Sequence, residues 1–384
     1  MENYILIHYG EIGLKGKNRP FFERRLVENI KKSLSDQGFN SVKKGYGRIL
    51  VELGEKSDRR QIVQQLQQVF GIVNLAEAVK AGKDMENIRK TALEILPKSK
   101  TFRVAARRSD KSFPLNSQQI NEQLGAHILD NRPEVKVDLG NPEATLHLEI
   151  TDQGIFMYTQ KLSGLGGLPV GVSGRVVSLL SAGFDSPVAS YLLMKRGAQV
   201  IFTHFHAYPQ TDKRSIESVK QITEILNKYQ FNSQLYLIPF LDIQKAIFKV
   251  ATADRVVLYR RMMMRIAEKI AIQEQAKALV TGDSLGQVAS QTLENLQAVS
   301  EAATLPILRP LIGSDKQEII DLARQIGTHD ISAQPYEDCC SLFVPKSPNT
   351  KARIDSIKRQ EEKLDISSLV EKAVNSVKIE IVNK

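Results

Sequence analysis

The stretch Val176-Val177-Ser178-Leu179-Leu180-Ser181-Ala182-Gly183-Phe184-Asp185-Ser186 decides the fold. Its first half is a short, largely apolar run, the pattern of a strand buried on both faces of a parallel sheet. Its second half is built of small residues and runs directly into an apolar-periodic helix, Pro187–Lys195. Small residues let the backbone approach a phosphate closely, and a helix N-terminus offers free N–H groups and a positive dipole end. The hydroxyls of Ser181 and Ser186 add donors. No Lys-Ser/Thr pair follows the glycine, so this is not a Walker A loop. The plainer reading is a strand-turn-helix junction that happens to be rich in small residues, and the hexapeptide alone does not separate the two.

Outward from this stretch the C-terminal half alternates strand and helix patterns. Strands are expected at Gln199–Thr203, Gln234–Ile238, Ala278–Thr281 and Pro306–Leu311, with helices at Ser215–Tyr229, Ala253–Gln273 and Lys316–Ile326. That alternation predicts an α/β fold with a doubly wound parallel sheet. Ligands of such sheets sit at the C-terminal ends of the strands. His204-Phe205 falls just beyond the second strand, where an adenine ring would rest. Arg260, in Arg260-Arg261-Met262-Met263-Met264-Arg265, is read as heading a helix that faces phosphates. Gly282-Asp283-Ser284-Leu285-Gly286-Gln287 ends another strand, with Gln291 close behind. Each has a blander alternative. His204 alone reads as a core histidine, the methionines as gap-filling core, and Arg261 with Arg265 as one solvated helix face. Their recurrence at successive strand ends favours a nucleotide. Beyond Lys351 the chain reads as charged and helical, without a clear core pattern.

The N-terminal half reads as two α+β units. In the first, strand Tyr4–His8 leads through a Gly/Lys loop carrying Lys15 and Lys17 into helix Phe21–Gln37. Strand Arg48–Leu53, helix Asp58–Phe70 and strand Val73–Val79 follow. The second unit holds helices Met85–Leu96 and Ser117–Asn131 and strands Thr101–Ala106, Thr145–Thr151 and Gly154–Lys161, with Arg107 and Arg108 in a basic loop. Ser163–Pro169 marks the junction with the C-terminal half.

The chain has 384 residues, with 53 Lys+Arg against 43 Asp+Glu and a net charge of +10. Such a balance suits a polyanionic partner. No basic tail carries it, which favours folded surfaces over a disordered polycation. No apolar stretch approaches the ~20 residues that cross a bilayer. Residues 1–10 lack the features of a signal peptide, so a cytoplasmic protein is expected. The two cysteines, Cys339 and Cys340, are adjacent. They form no disulfide framework and, with no others in the chain, no zinc ribbon, so no bound metal is expected from the protein's own ligands.

Together, Tyr9-Gly10-Glu11-Ile12-Gly13-Leu14-Lys15-Gly16, the 181–186 loop, Arg260–Arg265, Gly282–Thr292 and Tyr336-Glu337-Asp338-Cys339-Cys340 resemble the ThiI family of tRNA 4-thiouridine synthetases. The loop is similar to the SGGxDS pyrophosphate loop of ATP pyrophosphatases, with Ala182 in place of the usual second glycine. The resemblance covers essentially the whole chain. It implies an N-terminal ferredoxin-like domain (1–58), a THUMP RNA-binding domain (59–166) and a pyrophosphate-loop catalytic domain (173–384). It places nucleotide contacts on Leu179, Leu180, Ser181, Gly183, Ser186, His204, Phe205, Arg260, Gly282 and Gln291. Asp185 becomes the acidic residue needed to activate ATP with Mg²⁺.

The cysteine pair by itself reads as two ordinary buried thiols. The resemblance instead makes one of them a persulfide carrier, charged by a cysteine desulfurase, and leaves open which. It implies a tRNA partner, gripped through Lys15, Lys17, Arg107 and Arg108, and extends to a ThiS-like sulfur carrier protein, thiamine synthesis and a homodimer. Some members add a C-terminal rhodanese-like domain with a second working cysteine, and the likeness here is to the short form. Two rivals remain. Another pyrophosphate-loop ligase, such as a lysidine synthetase, would need an amine site and gives the cysteines no role. A non-catalytic RNA-binding module would keep the loop only as a relic.

Overall fold

Strand β1 (Asn3–His8) lies inside a sheet because four consecutive residues, Tyr4 to Ile7, are apolar and buried on both faces. The computed structural model describes residues 3–250, 253–335, 343 and 347–383. It divides into two units, Met1–Pro169 and Val170–Lys384. The first continues through α1 (Arg19–Ser33), β2 (Phe39–Gly45), β3 (Arg48–Leu53), α2 (Arg59–Gln67), β4 (Asn74–Ala81), α3 (Met85–Ile95), β5 (Thr101–Arg108) and α4 (Ser117–Asn131). It ends with β6 (Lys136–Val137), β7 (Ala144–Thr151), β8 (Gly154–Tyr158) and β9 (Leu162–Ser163). Asp58, Asp84 and Asn116 start α2, α3 and α4 by accepting the N–H of the third residue on, the usual service of an N-cap side chain. The stripe Ile120, Leu124 and Ile128 on α4 then packs with Ile88 and Ala92 of α3 onto Phe102, Val104, Leu146 and Leu148.

The two small units expected in this half share one continuous sheet, ordered β2-β3-β1-β4-β8-β7-β5-β6, with β9 beside β4. The join is the β4–β8 pairing, with Val79 opposite Met157. The division expected between residues 58 and 59 falls between β3 and α2, and β4 beyond it pairs with β1 along its length.

The second unit runs β10 (Arg175–Leu179), α5 (Asp185–Lys195), β11 (Gln199–His206), α6 (Arg214–Gln230), β12 (Asn232–Pro239), α7 (Leu241–Val250), α8 (Arg255–Gln273) and β13 (Leu279–Val280). It continues with α9 (Leu293–Ser300), β14 (Ile307–Leu308), α10 (Lys316–Ile326), α11 (His329–Ser332), α12 (Ile354–Glu361), α13 (Ile366–Asn375) and β15 (Lys378–Asn383). The sheet order is β14-β13-β10-β11-β12-β15. All pairings are parallel except that of β15. Chain order reverses at β10, which makes its C-terminal end the topological switch point where doubly wound folds hold ligands.

Two sequence expectations fail here. The segment beyond Lys351 is not coreless: Ala352, Ile357, Val370 and Ala373 join the core against α8, and β15 closes the sheet edge. Arg261 is not solvated either. It is 1% exposed, and its Nε and Nη2 each lie 2.8 Å from a Glu361 oxygen. Arg265 binds the same carboxylate, which ties α12 to α8. Two arginines four apart form the same pattern whether they face water or a buried acid, so spacing could not distinguish them.

Candidate functional site

The loop after β10 is shaped by its two serines. Ser181 N–H donates to Ser186 Oγ at 2.8 Å, and the two hydroxyls lie 3.1 Å apart. Helix α5 starts at Asp185 with no side-chain cap, so no side chain takes up the N–H groups of its first turn in that role. Ala182 is fully buried and does not face the cavity beside the loop. Its methyl therefore replaces the usual glycine hydrogen on the protein side. Gly282 is a position only glycine fills: a Cβ there would sit 2.7 Å from Asp185 C and Ser186 N. The end of β13 thus presses against the start of α5.

A cavity of about 340 Å³ opens at the C-terminal ends of β10, β11 and β13. Leu179, Leu180, Ser181, Asp185, Ser186, His204, Phe205, Arg260, Gly282 and Gln291 all line it, so the fold gathers almost every residue expected to hold a nucleotide. Gly183 stays in the loop outside that lining. Val256, Met263 and Met264 add an apolar wall, while Thr281, Asp283 and Ser290 add polar groups. His204 is 3% exposed and its Nδ1 donates to the Leu180 carbonyl at 3.0 Å, fixing the ring against the end of β10. Arg260 does not head its helix. It sits five residues into α8 and reaches the cavity by its side chain.

Charge in the cavity is organised by two carboxylates. Asp283 is buried between Arg260 Nη2 (2.5 Å) and Arg309 Nε (3.2 Å), and Thr281 Oγ1 donates to it at 2.8 Å. Burial pushes its carboxyl up, but the Arg260 charge, the Thr281 hydroxyl and Arg309 outweigh that and hold it below the usual carboxylate range. Arg260 also donates to the Ser290 carbonyl at 2.9 Å. Asp185 takes the Lys316 ammonium at 2.6 Å and the Gln287 amide at 2.9 Å. Sequence reasoning named none of Asp283, Arg309, Lys316 and Gln287 as site residues. Asp283 and Gln287 lie inside a stretch already singled out. Arg309 and Lys316 carry no local signal, because their partners lie far away in sequence.

The four basic residues expected to grip RNA fall in the first unit and are not gathered. Lys15 and Lys17 follow β1, whereas Arg107 and Arg108 end β5, which runs antiparallel to β1 through the intervening pairings. The two pairs therefore lie toward opposite ends of the sheet. Lys15 is bound to Glu11 at 2.9 Å and Lys17 is exposed. Arg108 Nη1 donates to the carbonyls of Phe113 (2.8 Å) and Leu115 (3.1 Å), while Arg107 is exposed. The Tyr9–Gly16 segment is anchored by Tyr9, whose hydroxyl donates to Glu23 beside Arg19. Burial and that carboxylate push the phenol up to about 12.

Cys339 and Cys340 lie outside the described residues. Among the described residues no group of three His, Cys, Asp or Glu forms a metal site, and no helix is long and apolar enough to cross a membrane.

Comparison with known proteins bears on the whole chain. Family models match as "Thiamine biosynthesis protein (ThiI)" over residues 171–366, a ThiI ferredoxin-like domain over 4–76 and a THUMP domain over 82–160. A probable tRNA sulfurtransferase of Natranaerobius thermophilus is 45% identical over 99% of this chain and 96% of its own. One from Caldanaerobacter subterraneus is 44% identical over 97% and 98%. A crystal structure of a 4-thiouridine synthetase–RNA complex with bound ATP superposes with a TM-score of 0.90 at 35% identity, covering 100% of both chains. A loop-bearing sheet with its cavity at the switch point, preceded by ferredoxin-like and THUMP modules and matched along its full length, places this chain in the ThiI family.

Proposed function

We propose that this ThiI-family enzyme is a tRNA sulfurtransferase that consumes ATP to convert uridine-8 of tRNA to 4-thiouridine. The observation that carries the reading is the cavity at the end of β10, which sets an uncapped helix N-terminus, an acid at Asp185 and the Arg260 cation around one space, with Lys316 ion-paired to that acid. The adenine ring lies against Leu179, Phe205 and Met263, and the phosphates lie at the start of α5. The uridine O4 attacks the α-phosphorus, the bond to the bridging oxygen breaks, and pyrophosphate leaves with the electron pair. Arg260, Lys316 and the α5 N–H groups offset the charge that develops there. Asp185 fits as the single carboxylate that a phosphate-bound Mg²⁺ takes from protein, where such an ion would neutralise phosphate charge.

Adenylation turns a poor leaving oxygen into a good one. The terminal sulfur of a persulfide on Cys339 or Cys340, supplied by a cysteine desulfurase, then attacks C4 and AMP departs. The remaining S–S bond is cut by a second thiol, from the neighbouring cysteine, another chain or solution. This leaves 4-thiouridine and a disulfide to be reduced. The same persulfide is the group a ThiS-like carrier would accept in thiamine synthesis.

The test is pyrophosphate release from ATP with and without tRNA, joined to nucleoside analysis of tRNA from cells lacking the gene. Release that requires tRNA, and loss of 4-thiouridine in those cells, support the reading. Release driven by an amine without tRNA would mark another ligase, and no release at all a binding module.

A further inference from the structure

We propose that Arg103, Arg107 and Lys161 form a phosphate-binding site for the RNA backbone, on the face of the first unit's sheet turned away from α3 and α4. Phe102 and Val104 of β5 point into the core with those helices, so Arg103 and Arg107 point the other way. On the neighbouring strand Thr145 and Glu149 lie directly opposite them, with His147 between. The His147 ring stacks on Tyr158, centroids 4.8 Å apart and planes 19° apart, and the Lys161 ammonium lies 5.8 Å from the Tyr158 ring centre. Three cations are thereby set around one stacked pair.

The carboxylate at this place is already taken up. Glu149 accepts from His8 Nε2 (2.9 Å) and Tyr158 Oη (2.8 Å), and its other oxygen is ion-paired with Arg48, 2.6 Å from Nη1. Among the described residues none of Arg103, Arg107 and Lys161 is ion-paired. Arg103 bonds only neutral groups, Thr145 Oγ1 at 3.2 Å and the Leu139 carbonyl at 3.3 Å. Burial, then Lys161, Arg103 and Arg107, push the His147 ring down to about 4. Burial and Arg107 lower the Lys161 ammonium. Glu149 offsets part of this charge, but with its oxygens committed to His8, Tyr158 and Arg48 the three cations stay in excess, and an excess of like charge favours an anion that neutralises it. Exposed Arg107 and Lys161 leave the place open to one. Arg108 points to the helix side and takes no part.

This site rests on the tRNA reading for its ligand, and the experiment separates the two. Full-length tRNA is titrated into the wild-type enzyme and the R103A/K161A double variant across a salt series, and both proteins are melted. The slope of log affinity against log salt is expected to fall by roughly 1.4–1.8, about 0.7–0.9 for each phosphate that is no longer neutralised. The thermal midpoint is expected to hold or rise, because repulsion has been removed. K228A on α6 should change neither the slope nor the midpoint. A double variant with the wild-type slope, or with a lowered midpoint, overturns the site and leaves the tRNA reading standing. A wild-type enzyme whose tRNA affinity ignores salt overturns both.

Discussion

Lys316 Nζ lies 2.6 Å from Oδ1 of Asp185, joining the first turn of α10 to the first turn of α5 across 131 residues of sequence. The opposite oxygen, Oδ2, accepts from Gln287. The acid of the loop is thus held from both sides by elements that follow other strands of the sheet.

The Lys316 side chain is 44% exposed, and a screened pair of this kind contributes about 0–1 kcal/mol to stability. Lys316→Ala should therefore barely move the thermal midpoint. If its ammonium faces the departing pyrophosphate, the turnover number for tRNA-dependent pyrophosphate release should fall by about 10²–10³-fold. Asp185→Ala should abolish release, and tRNA affinity should survive both changes. Normal release from the lysine variant would reduce Lys316 to a loop tether.

Gly282→Ala tests the close approach of β13 to the loop. The added methyl meets backbone atoms of Asp185 and Ser186 at 2.7 Å, and backbone yields less than a side-chain tip. The start of α5 must shift, at a cost of about 1–3 kcal/mol. A raised KM for ATP together with a lowered thermal midpoint is the expected result. An unchanged KM would show that the loop geometry does not set nucleotide binding.

Adenylation and sulfur transfer should fail independently. Replacing Cys339 and Cys340 together by serine keeps side-chain size and should leave tRNA-dependent pyrophosphate release intact. Formation of 4-thiouridine from a desulfurase should stop, and free sulfide should partly restore it by attacking the adenylate directly. Normal thiolation by the double variant would leave neither cysteine a part in sulfur transfer.

Acid stability should depend on Glu149. Burial pushes this carboxyl up, but the His8 hydrogen bond and the positive charges around it outweigh that and hold it at about 2, against an ordinary 4.5. A depressed carboxyl contributes stability that is present above its unfolded value and lost as pH falls through the folded one. The shift corresponds to roughly 3 kcal/mol, complete above about pH 4.5 and fading toward pH 2. Glu149→Gln should lower the urea midpoint at neutral pH and converge with the wild type as the solution is acidified. Parallel curves down to about pH 3 would show that the carboxylate adds no pH-dependent stability.

The sequence by itself determined whatever rests on local pattern. The strand–helix alternation beyond β10 specified the doubly wound sheet, and the small residues between β10 and its helix marked the place of the cavity. Residues such as His204, Phe205 and Gly282 were legible because each stands at a strand end, where topology alone brings it to the switch point. The tertiary structure decided what depends on partners distant along the chain. Arg261 became a buried ion-pair residue only because Glu361 folds back onto α8. Lys316, Arg309 and Asp283 acquired neighbours in the cavity that no spacing encodes. The first half of the chain became one sheet because β4 has two edges to pair, one with β1 and one with β8. Hydrophobic periodicity records which face of an element is buried, but edge hydrogen bonding and ion pairing are made by groups whose partner is chosen only when the chain is folded.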